Sequence, residues 1–276
     1  MPEQPDPNIP PFEQLLETYF ANHLPRLLRR TWVTSAIKQI IMINEIRAFV
    51  EAIKSLAGFA AVDAIVARTG LSVSYENTPD IPSRGRLLVL ANHPVGAADV
   101  FLMLQCLHHV RHDVQVVINK LGPLIVPQIA SLCLAVDRYA TFNQDARCRI
   151  RAALDQEQAV ILFPAGGISK LTMRGVRDHR WKNGAVHFVR DCQADVLPIY
   201  IAGRSSLLFL SLPRKLRHFF VARELLHPVS QHITVRVGSV IPYRRLATGE
   251  VAGIAQQLQK HVYDLATIRS KSCLAQ

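Results

Sequence analysis

The sequence predicts an α/β fold, a mixed and largely parallel sheet flanked by helices, with an N-terminal helical extension. Three observations predict it. Short β-type apolar runs alternate with helix-period segments from residue 71 onward. The first third carries helical periodicity alone. Hydrophobic residues make up 49% of the 276 residues, enough to build one large core.

Taken in order, the opening MPEQPDPNIPP is Pro-rich and polar and reads as a flexible lead-in. It has neither the basic start nor the apolar stretch of a secretory signal, so a cytoplasmic location is expected. Helical periodicity covers Phe12–Phe20 and then runs from Leu27 to about Arg68, where Gly70 supplies a stop. Arg26, Arg29 and Arg30 beside Leu24, Leu27, Leu28 and Trp32 fit either a packed helix with a charged edge or a helix lying on lipid. Strands are predicted at Leu71–Tyr75, Arg86–Ala91, Val114–Ile118, Ala159–Phe163, Val196–Ile201 and Ile233–Val237. Helices are predicted at Asp99–Val110, Gln144–Gln156, Lys182–Cys192, Pro213–Leu226 and Val251–Ala266. The turn-rich Asn77–Gly85 precedes the first clear βα unit. Residues 1–70 are accordingly read as a helical extension packed on a core domain of residues 71–276.

The formal charge of +11 accompanies a positive mean hydropathy of +0.15. Nucleic-acid binders are basic but more polar, aromatics are only 7%, and no recognised module is present, so nucleic acid is not the expected partner. Basic and apolar together suit an anionic membrane surface. The longest uncharged run, Leu121–Val136, is 16 residues with two prolines, short of the roughly 20 that span a bilayer. Peripheral association with the inner face of the cell membrane is therefore expected. The five cysteines are scattered without a CxxC pair, which suggests neither a disulfide framework nor a zinc site. His108, His109 and His112 form an HHxxH cluster, but no Glu follows in the metalloprotease manner and no remote ligand is evident, so no metal is expected.

The chemistry concentrates in Leu87–Leu104, LLVLANHPVGAADVFLML, where a strand breaks at Asn92-His93-Pro94 and a helix resumes near Asp99. A neutral imidazole can take a hydroxyl proton near neutral pH, and a carboxylate on its other nitrogen fixes the tautomer and stabilises the imidazolium. No GxSxG elbow occurs, and Ser205-Ser206 lacks that spacing, so the nucleophile is expected to be the substrate's own hydroxyl. A second loop, FPAGGISK from Phe163 to Lys170, follows a strand. Gly166 and Gly167 permit close backbone approach, and Ser169 and Lys170 can meet a phosphate. In LAVDR, Arg138 ends a short apolar strand and suits bidentate anion binding.

Together these elements resemble the glycerolipid and lysophospholipid acyltransferase family, in its haemolysin-like bacterial branch. ANHPVGAAD resembles the NHxxxxD box with one extra residue between His and Asp, LAVDR the second block, FPAGGISK the third, and VLPIYIAGRSSLLF the fourth. The similarity runs from about Leu71 to Pro242. It implies acyl transfer from an acyl-CoA or acyl carrier protein thioester to a lysolipid hydroxyl, with no resident cofactor. His93 would be the general base, Asp99 its orienter, and Asn92, Arg138, Gly166, Gly167, Ser169, Lys170 and Arg204 would bind substrate. One departure stands out: the third block normally carries a Glu at a position matching Ala165 or Gly167, and this loop has none. A different acceptor head group, a substitute carboxylate from elsewhere, or lost activity would each follow from that; the acceptors the resemblance leaves open are a lysophosphatidate and a lysolipid with an amino-acid head, the missing Glu tilting slightly towards the latter. A thioesterase-like hydrolase and a silent lipid- or acyl-carrier-binding protein are the alternatives.

Between Arg204 and Arg245, eight Lys or Arg face one acid, Glu224. The helix Pro213–Leu226 places Leu216, Phe219 and Phe220 on one face and Arg214, Arg217 and His218 on another. It fits an anionic lipid surface and, equally, a packed helix with a solvated basic edge. Trp181 is expected as a core or entrance residue.

Overall fold

A computed structural model describes residues 42–136, 144–173, 175–212, 214–230 and 232–267. The expectations for residues 1–41, among them the helix Phe12–Phe20 and the Arg26–Trp32 stretch, lie outside the described residues, as does Arg138.

The helices are α1 (Ile43–Glu51), α2 (Gly58–Arg68), α3 (Ala97–His108), α4 (Leu121–Ile125), α5 (Gln144–Asp155), α6 (Gly184–Cys192), α7 (Leu207–Ser211), α8 (Arg214–Leu226) and α9 (Val251–Asp264). The strands are β1 (Ser72–Glu76), β2 (Leu87–Ala91), β3 (Val114–Asn119), β4 (Cys133–Val136), β5 (Ala159–Leu162), β6 (Lys170–Thr172), β7 (Gly175–Arg177), β8 (Asp195–Ala202) and β9 (His232–Val237). Seven strands form one sheet in the order β1-β9-β8-β2-β5-β3-β4. Every neighbouring pair is parallel except β8 with β9, so the sheet is mixed and largely parallel, the α/β fold the alternating pattern predicts.

The central strand shows why the sequence folds this way. All five residues of β2 are buried, as a strand covered on both faces requires. Leu87, Val89 and Ala91 enter a core shared with α2 and α3, whereas Leu88 and Leu90 enter a second core shared with α5, α6 and α9. Period-two alternation thus feeds two hydrophobic layers, and each fully buried Leu or Val contributes about 1.5–3 kcal/mol.

Three differences from the sequence pattern have local causes. The apolar-periodic run ending near Arg68 is two helices where it is described, because Gly58 takes φ 58 and Ala57 is extended between them. Helix α3 starts at Ala97, not Asp99: Gly96 at φ 86 turns the chain, and Asp99 closes the first turn from inside. The segment after FPAGGISK folds into an antiparallel hairpin, β6–β7, whose three-residue strands are too short to register as a pattern. No helix among the described residues is long and apolar enough to cross a membrane. The uncharged Leu121–Val136 becomes α4, a 3-10 segment and β4.

Candidate active site

The carboxyl ends of β2, β5 and β8 lie side by side, and the loops leaving them converge on residues 92–96. Open α/β sheets present their ligand-binding crevices at this end. Asn92 terminates β2 by pairing with β8: its Nδ2 donates to the Ile201 carbonyl at 2.9 Å and its Oδ1 accepts from the Ile201 amide at 2.7 Å. Both amide functions are therefore engaged in a buried backbone link, and Asn92 holds the loop in place where substrate contact was expected.

His93 follows, with its side chain 15% exposed and its ring stacked on Phe163 at 4.3 Å between centroids. Its Nδ1 lies 2.8 Å from Asp99 Oδ2. The same oxygen accepts from the amides of Val95 at 2.9 Å and Gly96 at 3.0 Å. Asp99 thus does two things: it caps α3 and offers His93 Nδ1 an oxygen that already accepts two amides, an arrangement suited to a proton on Nδ1. Burial pushes the Asp99 carboxyl above its ordinary range, while the His93 contact and the two amides pull it back.

The glycine loop closes over one side. Gly166 adopts φ 63, a conformation glycine takes without strain, and a Cβ there would have to displace the Lys182 amine. Gly167 sits beside it, partly buried, and Lys170 is exposed at the start of β6. Ser169 is fully buried. Its amide donates to the His93 carbonyl at 2.8 Å and its hydroxyl donates to Asp178 Oδ1 at 2.5 Å. Where a phosphate contact was expected of this hydroxyl, it is buried and links two loops.

Asp178 is the group sequence reasoning missed. Its Oδ1 also accepts from the His93 amide at 3.2 Å, and its Oδ2 accepts from Trp181 Nε1 at 2.9 Å. Its amide donates to the Tyr263 hydroxyl at 2.7 Å. Burial raises its pKa above the usual carboxylate range, opposed by Ser169, Trp181 and the His93 amide. A carboxylate therefore stands at the loop that lacks one at Ala165 and Gly167. A signal was present: Asp178 is the only acid between Glu157 and Asp191.

The GRSS turn closes the other side. Ser205 donates both its amide, at 3.2 Å, and its hydroxyl, at 3.1 Å, to the Pro94 carbonyl. A Cβ at Gly203 would approach Val95 Cγ2 to 2.8 Å. Arg204 is exposed and lines a cavity of about 430 Å³ with Arg177, Tyr200, Ser230 and Tyr263. Arg177 lies over the Tyr263 ring at 4.7 Å. Arg217, expected on the basic face of its helix, turned to lipid or to solvent, donates instead to the carbonyls of Leu210, Leu212 and Ser169. Glu224, the lone acid of the basic region, is buried against Ser206. Away from this site, Asp63 contacts His108 at 3.1 Å, and ligand atoms of Asp63, His108 and His109 fall within 4.8 Å of one another. Asp63 is the remote group that the sequence did not reveal beside the histidines.

A family model described as acyltransferase matches residues 16–263. Two similar proteins are lyso-glycine lipid O-acyltransferases. The one from Phocaeicola vulgatus is 24% identical over 245 residues, which cover 85% of this chain and 88% of the relative. The one from Bacteroides thetaiotaomicron is also 24% identical over 245 residues, covering 85% and 90%. The crystal structure of the 1-acyl-sn-glycerophosphate (LPA) acyltransferase PlsC from Thermotoga maritima aligns with a TM-score of 0.49 and 16% identity, over 94% of this chain and 93% of that one.

Proposed function

The chain belongs to the acyltransferase family, as its motif blocks suggest, and from that premise we propose that it transfers a fatty acyl group from an acyl-CoA or acyl carrier protein thioester to the hydroxyl of a lysolipid. The observation that carries the mechanism is the 2.8 Å contact between His93 Nδ1 and a buried, helix-capping Asp99 Oδ2.

In this mechanism His93 Nε2 takes the proton of the acceptor hydroxyl as its oxygen attacks the thioester carbonyl carbon. Asp99 holds the imidazolium that forms. Collapse of the tetrahedral adduct breaks the carbon–sulfur bond, and the departing thiolate recovers the proton from His93. The step draws on no resident cofactor. Asp178 supplies the carboxylate that the third loop lacks: it clamps the His93 amide to Ser169. In this reading Arg204 and Arg177, which share a cavity with Tyr200 and Tyr263, bind an acidic head group of the acceptor. Lys170, paired with Arg177 across β6–β7, the Gly166–Gly167 turn and, by its motif, Arg138 are the further substrate-binding residues of this reading. Both similar proteins carry the name lyso-glycine lipid O-acyltransferase, which supports an acceptor with an amino-acid head. Such a substrate resides in a bilayer, so the protein works as a peripheral protein, at the inner face of the cell membrane.

Purified protein with radiolabelled acyl-CoA or acyl carrier protein and a panel of lysolipids tests this. Labelled diacyl product, lost in His93→Ala, is the expected result. Free fatty acid without lipid product refutes transfer in favour of hydrolysis, and binding without turnover refutes catalysis.

A further inference from the structure

Five large hydrophobic residues stand exposed among the described residues: Leu171, Met173, Leu207, Leu208 and Val229. Four of them lie on two short elements that touch. Leu171 is on β6 and Met173 at the tip of the β6–β7 hairpin, 57% and 107% exposed. Leu207 and Leu208 form the outer face of α7, which packs on β6. The inner face of α7 is anchored, with Phe209 and Leu210 buried and Ser206 bonded to Glu224. Their exposure is therefore built into a fixed element.

Both elements leave loops that are hydrogen-bonded to the one carrying His93. The hairpin starts immediately after Ser169, whose amide binds the His93 carbonyl, and ends immediately before Asp178, which binds the His93 amide. Helix α7 starts just after Ser205, which binds the Pro94 carbonyl. The apolar patch thus borders the mouth of the site. Its rim is cationic: Lys170, Arg177 and Arg204 are exposed, and residues 163–177 and 203–223 contain no Asp or Glu.

We propose that the β6–β7 hairpin tip and the outer face of α7 form the surface by which this protein docks on an anionic bilayer, with Leu171, Met173, Leu207 and Leu208 entering the interfacial region. Apolar side chains ringed by Lys and Arg are the pattern that binds anionic lipid by burial and charge together. This rests on a lipid acceptor: docking here presents the His93 site to an amphiphile without removing it fully from the bilayer. A fully exposed methionine on a protruding turn suits insertion into a fluid phase better than a shape-matched protein interface.

The test uses the full chain and vesicles of phosphatidylcholine with phosphatidylglycerol. The variant Leu171→Ser/Met173→Ser/Leu207→Ser/Leu208→Ser should bind in co-sedimentation roughly 100-fold more weakly than the parent, because four apolar insertions are removed. Its thermal midpoint should match the parent's, since these side chains are already exposed. Independently, an environment-sensitive dye at Met173→Cys, with Cys148→Ser and Cys273→Ser, should blue-shift on the vesicles and be quenched by brominated acyl chains. Failure of the parent to bind these vesicles overturns the proposal, as does a variant that binds equally or a dye that stays in water. A variant that keeps vesicle binding but no longer binds an acyl carrier protein overturns it too, reassigning the patch to a protein partner. A parent that docks through the patch yet transfers no acyl group removes the enzymatic assignment and leaves the docking surface standing.

Discussion

Replacing Asp99 separates its two roles, because all three of its donors converge on one oxygen. Oδ2 receives His93 Nδ1, the Val95 amide and the Gly96 amide at 2.8–3.0 Å. In Asp99→Asn the amide oxygen can occupy that point and keep every bond, so the helix cap and the His93 tautomer survive. What disappears is the charge facing the imidazolium. A hydrogen bond to a charged group is worth about 1.5–3 kcal/mol, which predicts a fall in kcat of roughly 10- to 150-fold. The thermal midpoint should stay near the parent's, since removing a buried charge offsets the weaker bonds. Asp99→Ala behaves differently, for it uncaps α3 and strands two amides whose residues are both buried. We expect a loss of about 3 kcal/mol of stability and a midpoint lower by roughly 6–12 °C. The assays are thiol release in the presence of lysolipid for kcat and circular dichroism for the midpoint. Parental kcat in Asp99→Asn, or a parental midpoint in Asp99→Ala, would refute the double role.

His93→Ala should lower acyl transfer by about 10²–10⁴-fold while the far-UV spectrum is unchanged; measurable turnover near the parental rate would sink the base assignment. Asn92→Ala should act on stability, by about 2–4 kcal/mol, because both Ile201 backbone groups lose buried partners; chemical denaturation reads this, and a KM change at full stability would speak for substrate contact instead. For Asp178 the sign comes from burial, which raises the folded-state pKa. The stabilisation it contributes is fully present below the ordinary value of about 3.9 and is lost as pH rises through the folded value. Asp178→Asn does not titrate there, so the parent's midpoint minus the variant's should fall from acid to neutral pH; a difference independent of pH would contradict it.

Much of the fold is legible in the sequence because most strands of the main sheet are covered on both sides. Runs such as LLVLA and AVIL have no solvent face to interrupt them, and their ends fall within a residue or two of the observed ones. The break at Gly58 and the hairpin β6–β7 escape periodicity for a different reason: a single positive-φ residue and two three-residue strands carry too few positions for a period to show. At the site, spacing brings out His93 and Asp99 because both belong to one βα junction. The roles of Asn92 and Ser169 depend on partners 109 and 9 residues away, Ile201 and Asp178, which no local pattern specifies. Their residue types were informative and their contacts were not.

The missing carboxylate of the glycine loop and the exposed hairpin are two aspects of one arrangement. A Glu within FPAGGISK would have to reach the His93 loop from the turn itself, where Gly166 already needs φ 63 and Ala165 is buried. Here the chain instead runs out through Lys170–Thr172, turns, and returns through Gly175–Arg177, so that Asp178 arrives beside Ser169. Asp178 Oδ1 then takes both the Ser169 hydroxyl and the His93 amide, while the Ser169 amide holds the His93 carbonyl. The two ends of the hairpin are therefore fixed to the amide and carbonyl of the same histidine. Any displacement of the hairpin base that broke these bonds would leave a buried carboxylate short of donors, which costs several kcal/mol. Supplying the carboxylate from downstream thus gives the loop a rigid base for its exposed apolar tip, which a Glu inside the turn would not have done.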